Sequence, residues 1–171
     1  MNAFKKISLG LLAILALLFF VAVWYSYEFS MDKAVAREIN TPNLERKILI
    51  ATQGSEFKDK ITQQITDHYT AQSAYIKVID ITSLRDIDIE TFDAIVLIHT
   101  WEYNKPPQAI TDFIERSKAY RDNIVALSTS GEGSHKLENI DAIAGESILL
   151  NSEAISKQII SKVDTMLQGI D

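Results

Sequence analysis

Residues 93–131 read DAIVLIHTWEYNKPPQAITDFIERSKAYRDNIVALSTSG. The run Asp93–Thr100 is apolar almost throughout, which predicts a central strand buried on both faces. Pro106-Pro107 suits a helix start, where a missing N–H leaves no bond unmade. Ile110, Phe113, Ile114 and Ser117 then recur at helical spacing. Asn123–Ser128 (NIVALS) reads as a second buried strand. A strand, a helix and a strand joined in this way predict a parallel pair with a right-handed crossover.

The alternation extends in both directions. Lys47–Thr52 (KILIAT) reads as a buried strand, and Glu56–Tyr69 sets Phe57, Ile61, Ile65 and His68 or Tyr69 on one helical face. Tyr75–Ile81 (YIKVIDI) reads as a strand with one more exposed face. Downstream, His135–Ala144 predicts a weak helix or a loop, and Ser147–Leu150 a last short strand. Asn151 or Ser152 is the expected cap of a helix over Glu153–Leu167, with Ile155, Ile159, Val163 and Met166 or Leu167 inward. Strands alternating with helices predict an α/β domain over residues 47–171: three layers, with helices on both faces of a parallel sheet. Ligands on such sheets bind beyond the C-terminal strand ends, at the point where strand order reverses.

A different element precedes the domain. From Ile7 to Tyr27 no charged residue occurs, and Leu9–Val23 is built almost wholly from Leu, Ala, Phe, Val and Ile. At ~1.5 Å per residue this stretch matches the ~30 Å core of a bilayer. Trp24, Tyr25 and Tyr27 cluster at its far end, where amphipathic rings favour the headgroup layer. A cleaved signal peptide is the rival reading. The run exceeds the usual h-region, however, and large aromatics stand where a small-x-small cleavage site belongs. The expected organisation is a flank at 1–6, a transmembrane anchor helix at 7–27, a juxtamembrane connector at 28–46 and the domain at 47–171. Met31–Ile39 is read as a prolongation of the helix, stopped by Thr41-Pro42-Asn43. Lys5 and Lys6 before the helix favour a cytoplasmic N-terminus and, in a Gram-negative bacterium, an inner-membrane protein with a periplasmic domain.

Charge and composition narrow the function classes. The formal net charge is −6. Residues 1–45 carry four bases and four acids, so the domain carries the whole excess. An acidic domain without a basic stripe argues against a nucleic-acid partner. There is no cysteine, so disulfides, thiolate catalysis and zinc–thiolate sites are excluded. His68, His99 and His135 carry no metal-ligand spacing, and no metal is expected. Ser130 with His135 lacks the G-x-S-x-G context of a nucleophile, so no catalytic residue is assigned. Asp86, Asp88 and Glu90 read as a solvated connector.

Three loops follow the strands at the ligand-binding edge. The first is Thr52-Gln53-Gly54-Ser55-Glu56, between a strand and a helix N-terminus, where free N–H groups favour an anion. The second is Trp101-Glu102-Tyr103-Asn104-Lys105-Pro106-Pro107, with two aromatics suited to a planar ligand or to closing the core. The third is Thr129-Ser130-Gly131-Glu132-Gly133-Ser134.

With these loops, the region from Lys47 to Asp171 resembles the flavodoxin-like family. IHTWEYNKPPQAITDFIER (98–116) is similar to that family's second flavin loop, and NIVALSTSG (123–131) to its next strand and third loop. The resemblance implies sheet order 2-1-3-4-5 and FMN as cofactor. It implies that Thr52, Gln53, Gly54 and Ser55 take the phosphate and that Trp101 and Tyr103 stack on the flavin. Thr100, Asn104, Ser130 and Gly131 would add hydrogen bonds. The first loop departs from the family's hydroxyl-rich pattern: it is shorter, and Glu56 and Phe57 fall near expected hydroxyls.

Three functions follow as expectations. The first is a membrane-tethered FMN protein carrying electrons, its acidic surface steering a basic redox partner. The second is a flavin-free module that keeps the fold and binds a membrane protein or another ligand. The third is an NAD(P)H-quinone reductase-like enzyme, which requires a cytoplasmic domain.

Overall fold

The structure is a computed structural model that describes residues 3–28 and 31–169. Residues 1–2, 29–30 and 170–171, and the side chains of residues 3 and 25–28, Tyr25 and Tyr27 among them, lie outside what is described. The chain forms two compact units, Met1–Met31 and Asp32–Asp171. The first is one helix, α1 (Ala3–Glu28). Within it the 21 residues Phe4–Trp24 are long and apolar enough to cross a membrane, and none of that window is buried.

The second unit is built on a seven-stranded sheet. Its strands are β1 (Asp32–Lys33), β2 (Arg37–Ile39), β3 (Lys47–Gly54), β4 (Tyr75–Asp80), β5 (Ala94–Thr100), β6 (Ile124–Thr129) and β7 (Asp141–Gly145). The order is β2-β4-β3-β5-β6-β7, with β1 paired to β3 off this path. Strands β4-β3-β5-β6-β7 are parallel neighbours, which is the expected 2-1-3-4-5 order; β2 adds an antiparallel edge to β4. Three longer helices complete the unit: α2 (Glu56–Thr70), α3 (Gln108–Arg116) and α4 (Ser152–Gln168).

Alternation along β3 explains the layers, because successive side chains leave opposite faces of a strand. Ile48 and Ile50 join Ile61 and Ile65 of α2 and Ile159 and Val163 of α4 in one core. Leu49 and Ala51 join Ile110 and Phe113 of α3, with Leu84, Ile89 and Phe92 from short 3-10 turns, in the other. Each fully buried Ile, Leu or Phe contributes about 1.5–3 kcal/mol relative to an exposed one. β4 divides the same way, Ile76 and Val78 to one core and Tyr75 and Ile79 to the other. Both of its faces are therefore covered, and the more exposed face expected for Tyr75–Ile81 is not found.

The last strand also lies elsewhere than expected. It is Asp141–Gly145, inside the segment read as weak helix or loop, whereas Glu146–Ile148 is irregular and Leu149–Asn151 is a 3-10 turn. The small residues Ala142, Ala144 and Gly145 pair with β6 by backbone alone and leave little apolar periodicity. Asn151 precedes α4 but makes no side-chain cap bond, because the 3-10 turn leads directly into the helix.

Residues 32–39 give the largest correction. They form no helix: Asp32–Lys33 and Arg37–Ile39 pair into the sheet, so the compact unit begins at Asp32 rather than Lys47. The pairing of β3 with β4 ends at Thr52 opposite Asp80. Beyond that point β1 runs antiparallel to β3, with Asp32 opposite Gly54 and Lys33 opposite Gln53. Next in the chain, Ala34 N–H donates to the Asp80 carboxylate at 2.9 Å.

This arrangement requires glycine at position 54. A Cβ there would lie 2.9 Å from the carbonyl carbon and oxygen of Asp32, which are backbone atoms. Gly54→Ala should therefore destabilise the domain by about 1–3 kcal/mol in urea denaturation, as overpacking does. Gly131→Ala, with nothing within 4 Å of the added Cβ, should leave the transition within about 0.5 kcal/mol of wild type.

Candidate functional site

The strand order reverses between β3 and β5, so the site to test is the crevice at their C-terminal ends. Here the first loop is far shorter than the sequence implies. Gln53 and Gly54 belong to β3, and only Ser55 separates that strand from α2. Ser55 is extended and serves as the helix N-cap, its hydroxyl accepting from Lys58 N–H at 3.3 Å. Thr52 is buried, and its hydroxyl donates to Gln53 O at 3.0 Å.

Gln53 closes the crevice from within. Its side-chain carbonyl accepts from Thr100 N–H at 2.7 Å, and its amide donates to Glu102 Oε1 at 3.1 Å. One side chain thus spans from β3 to the end of β5, across the place where a ligand enters in folds of this topology. Lys58 lies beneath the junction, fully buried, with its ammonium 3.5 Å from Ser55 Oγ. Burial pulls its pKa down to about 8, against the opposing pull of Glu102 and Asp59.

Outside the junction, a groove of about 470 Å³ is lined by Asp32, Lys33, Arg37, Ser55, Glu56 and Asp59 among others. Three of these groups are carboxylates. A carboxylate ~4 Å from a dianion costs about 1 kcal/mol per charge in water and about 4 where the effective dielectric falls to 20. Of the four residues to which the resemblance assigns the phosphate, Thr52, Gln53 and Gly54 are strand and Ser55 caps α2. Gln53 and Gly54 are paired with β1, the hydroxyls of Thr52 and Ser55 are engaged, and the groove outside sets three carboxylates beside Lys33 and Arg37.

The second loop folds as a tight turn. Glu102 and Lys105 exchange N–H···O bonds of 2.9 and 3.0 Å around Tyr103 and Asn104, both at positive φ (49° and 59°). That is the pattern of a type I′ turn, which Asn tolerates and Tyr resists. Tyr103 is 85% exposed at the tip, and Asn104 beside it is exposed. Trp101 is half-buried and stacks on His135, with ring centroids 5.4 Å apart and planes 30° apart.

The third loop is held by its backbone. Ser130 N–H donates to Gly145 O at 3.1 Å, and Gly133 N–H to Ser130 O at 3.2 Å. Gly131 is exposed. Thr100 and Thr129 share a hydroxyl hydrogen bond of 3.0 Å across β5 and β6. The side-chain polar atoms Trp101 Nε1, Ser130 Oγ and His135 Nδ1 are buried without a protein partner. Trp101 and His135 are thus in contact at this edge, and Ser130 lies in the loop that follows β6.

His99 is fully buried, with Nε2 3.0 Å from Ser128 Oγ. Burial lowers its pKa to about 4, and Lys58 lowers it further against a raising hydrogen bond to Thr100 O. It is neutral at physiological pH. Among the described residues no group of three His, Cys, Asp or Glu is placed to hold a metal. The residues missed from sequence are Lys58 and Asp32. Lys58 had a visible signal, because it lies on the stripe shared by Ile61, Ile65 and Tyr69. Asp32 had none, because a two-residue strand has no period.

No family model and no curated protein matches the chain. Solved structures do. A variant of the flavo di-iron protein of Thermotoga maritima superimposes with a TM-score of 0.51 at 11% identity, covering 72% of this chain and 36% of that one. A flavodiiron core from Synechocystis gives 0.50 at 10% identity, with the same 72% and 36% coverage. An archaeal flavodoxin gives 0.48 at 12% identity, covering 70% of this chain and 98% of its own. This chain thus spans about a third of the flavodiiron chains it matches. At these identities the likeness shows the fold, which is flavodoxin-like.

Two outcomes follow from this geometry. Lys58 titrates at about 8 when folded and 10.5 when unfolded, so between these values the unfolded chain binds the extra proton. Stability should rise with pH across that window and be lowest, for this group, below it. Lys58→Met should raise the melting temperature at pH 7 and remove that rise; a parallel pH series of thermal melts on both proteins isolates the effect. Tyr103→Asn should stabilise the domain by up to about 1 kcal/mol in urea denaturation, by relieving the left-handed backbone.

Proposed function

We propose that the domain is a flavin-free binding module of flavodoxin-like fold, held at a membrane through α1. The observation that carries this reading is the junction of β3 and α2. A single residue, Ser55, stands where a phosphate-wrapping loop is needed, and Gln53 bridges the crevice to Thr100 and Glu102. The pairing of Asp32 with Gly54 supports it further, because opening a loop there means breaking the sheet. The apolar stretch Phe4–Trp24 supports the tether, and Lys5 and Lys6 support a cytoplasmic N-terminus.

An FMN electron carrier is the competing reading, and its support is the fold shared with flavo di-iron proteins. Fold does not carry function without its site. Against this reading stand the single-residue junction at Ser55 and the close approach of Asp32 to Gly54. A quinone reductase of the same architecture needs the same flavin seat.

Absorbance separates the two readings. The full chain, purified in mild detergent and incubated with excess FMN, should be colourless after desalting and leave flavin fluorescence unquenched in titration. A yellow protein with one FMN per chain would overturn the proposal.

A further inference from the structure

Within the domain, the large hydrophobic side chains exposed among the described residues are Val35, Tyr103, Ile148, Leu149 and Leu150. They are scattered in sequence but not in the fold. Tyr103 lies in the β5–α3 loop and Ile148–Leu150 in the connection from β7 to α4, both at C-terminal strand ends. Val35 follows Ala34, whose N–H bonds the Asp80 carboxylate at the end of β4. The opposite edge, before the same strands, exposes polar groups such as Asn43, Glu45, Arg46, Gln72, Ser73 and Asp122.

The chain enters the domain on the edge that bears these apolar side chains, among exposed polar ones such as Asn104, Lys105, Glu132 and Glu146. Asp32, the first residue of the compact unit, pairs with Gly54 at the C-terminal end of β3. Only Phe29, Ser30 and Met31 stand between it and the last residue of α1 in the chain. From Glu28 to Asp32 an extended chain reaches at most about 14 Å. A bilayer crossed by α1 is therefore within reach of this edge.

We propose that the C-terminal edge of the sheet lies against the lipid surface, with Tyr103, Leu149 and Leu150 inserted at the headgroup boundary. The inference rests on the membrane-tether reading of α1. Leu150 is 93% exposed and Tyr103 85%, both without cover in the domain. Tyr103 also holds a left-handed backbone that an Asn or Gly would hold more easily, so an aromatic is kept at an exposed tip against local preference. An amphipathic ring and two leucines suit the interface, where one side of the group is apolar and the other wet. The contact is apolar, not electrostatic, because the domain carries the chain's net negative charge and anionic lipid would repel it. Ligands reaching the loops of this edge would then come from the membrane side.

The absence of cysteine permits single-site labelling of the full chain. An environment-sensitive nitrobenzoxadiazole label is placed at Tyr103→Cys, Leu150→Cys, Glu45→Cys on the opposite edge, or Leu15→Cys within α1. Each protein is reconstituted in phosphatidylcholine vesicles containing spin-labelled lipid. Positions 103 and 150 should be quenched at least about twofold more than position 45, with no loss at high salt. Leu149→Ser with Leu150→Ser should bring the label at 103 back to the level at 45. If position 15 is quenched while 103 and 150 match 45, the inference fails and the anchor stands. If position 15 is not quenched, the anchor reading fails and the inference with it. Blue-shifted emission at 103 and 150 without lipid quenching would identify a protein occupant and overturn the lipid assignment.

Discussion

The backbone pairing of Asp32–Lys33 with Gln53–Gly54 constrains everything at the C-terminal end of the sheet. A parallel strand in this fold ordinarily releases its chain into a loop, and the loop's free N–H groups recruit an anion. Here the strand continues until one residue before the helix. Its last amides lie opposite the chain's own entering segment. Because Asp32 sits flush against Gly54, the pairing leaves no space for a side chain at that position.

The polar groups beneath that pairing follow from it. Gln53 is held in the sheet, so its side chain satisfies the Thr100 N–H and the Glu102 carboxylate instead of a ligand. Lys58 fills the volume under Ser55, among the described residues without a carboxylate within salt-bridge distance, and burial lowers its pKa. A buried cation of this kind opposes stability. The two-sided hydrophobic core around β3 and β5 offsets it, with Ile48 to Ala51 and Ala94 to Ile98 all fully buried.

The parallel sheet, its order and its helices were legible because their signals are long. The runs at Lys47–Thr52, Asp93–Thr100 and Asn123–Ser128 and the stripe of Ile61, Ile65 and Tyr69 each repeat a period that packing enforces. The misread parts are short or small. β1 has two residues, and β7 draws its pairing from Ala142, Ala144 and Gly145, whose side chains carry no periodic message. At the site, the residue types were identified but not their partners. Thr52–Ser55 has the composition of an anion loop, and only the arrival of Asp32 from outside the segment turns it into strand. The departure at Glu56 and Phe57 was the one local sign of this. Tyr103 was identified as an aromatic at this edge, but its positive φ belongs to the turn as a whole.

Hydrogen exchange across the end of β3 tests the central claim most directly. In the full chain, amides of residues 53 and 54 are followed by mass spectrometry with and without excess FMN. A strand closed by β1 should exchange there as slowly as at Ile48–Thr52, and FMN should change nothing. Exchange within seconds, as in an open loop, or protection that develops only with FMN, would contradict the account.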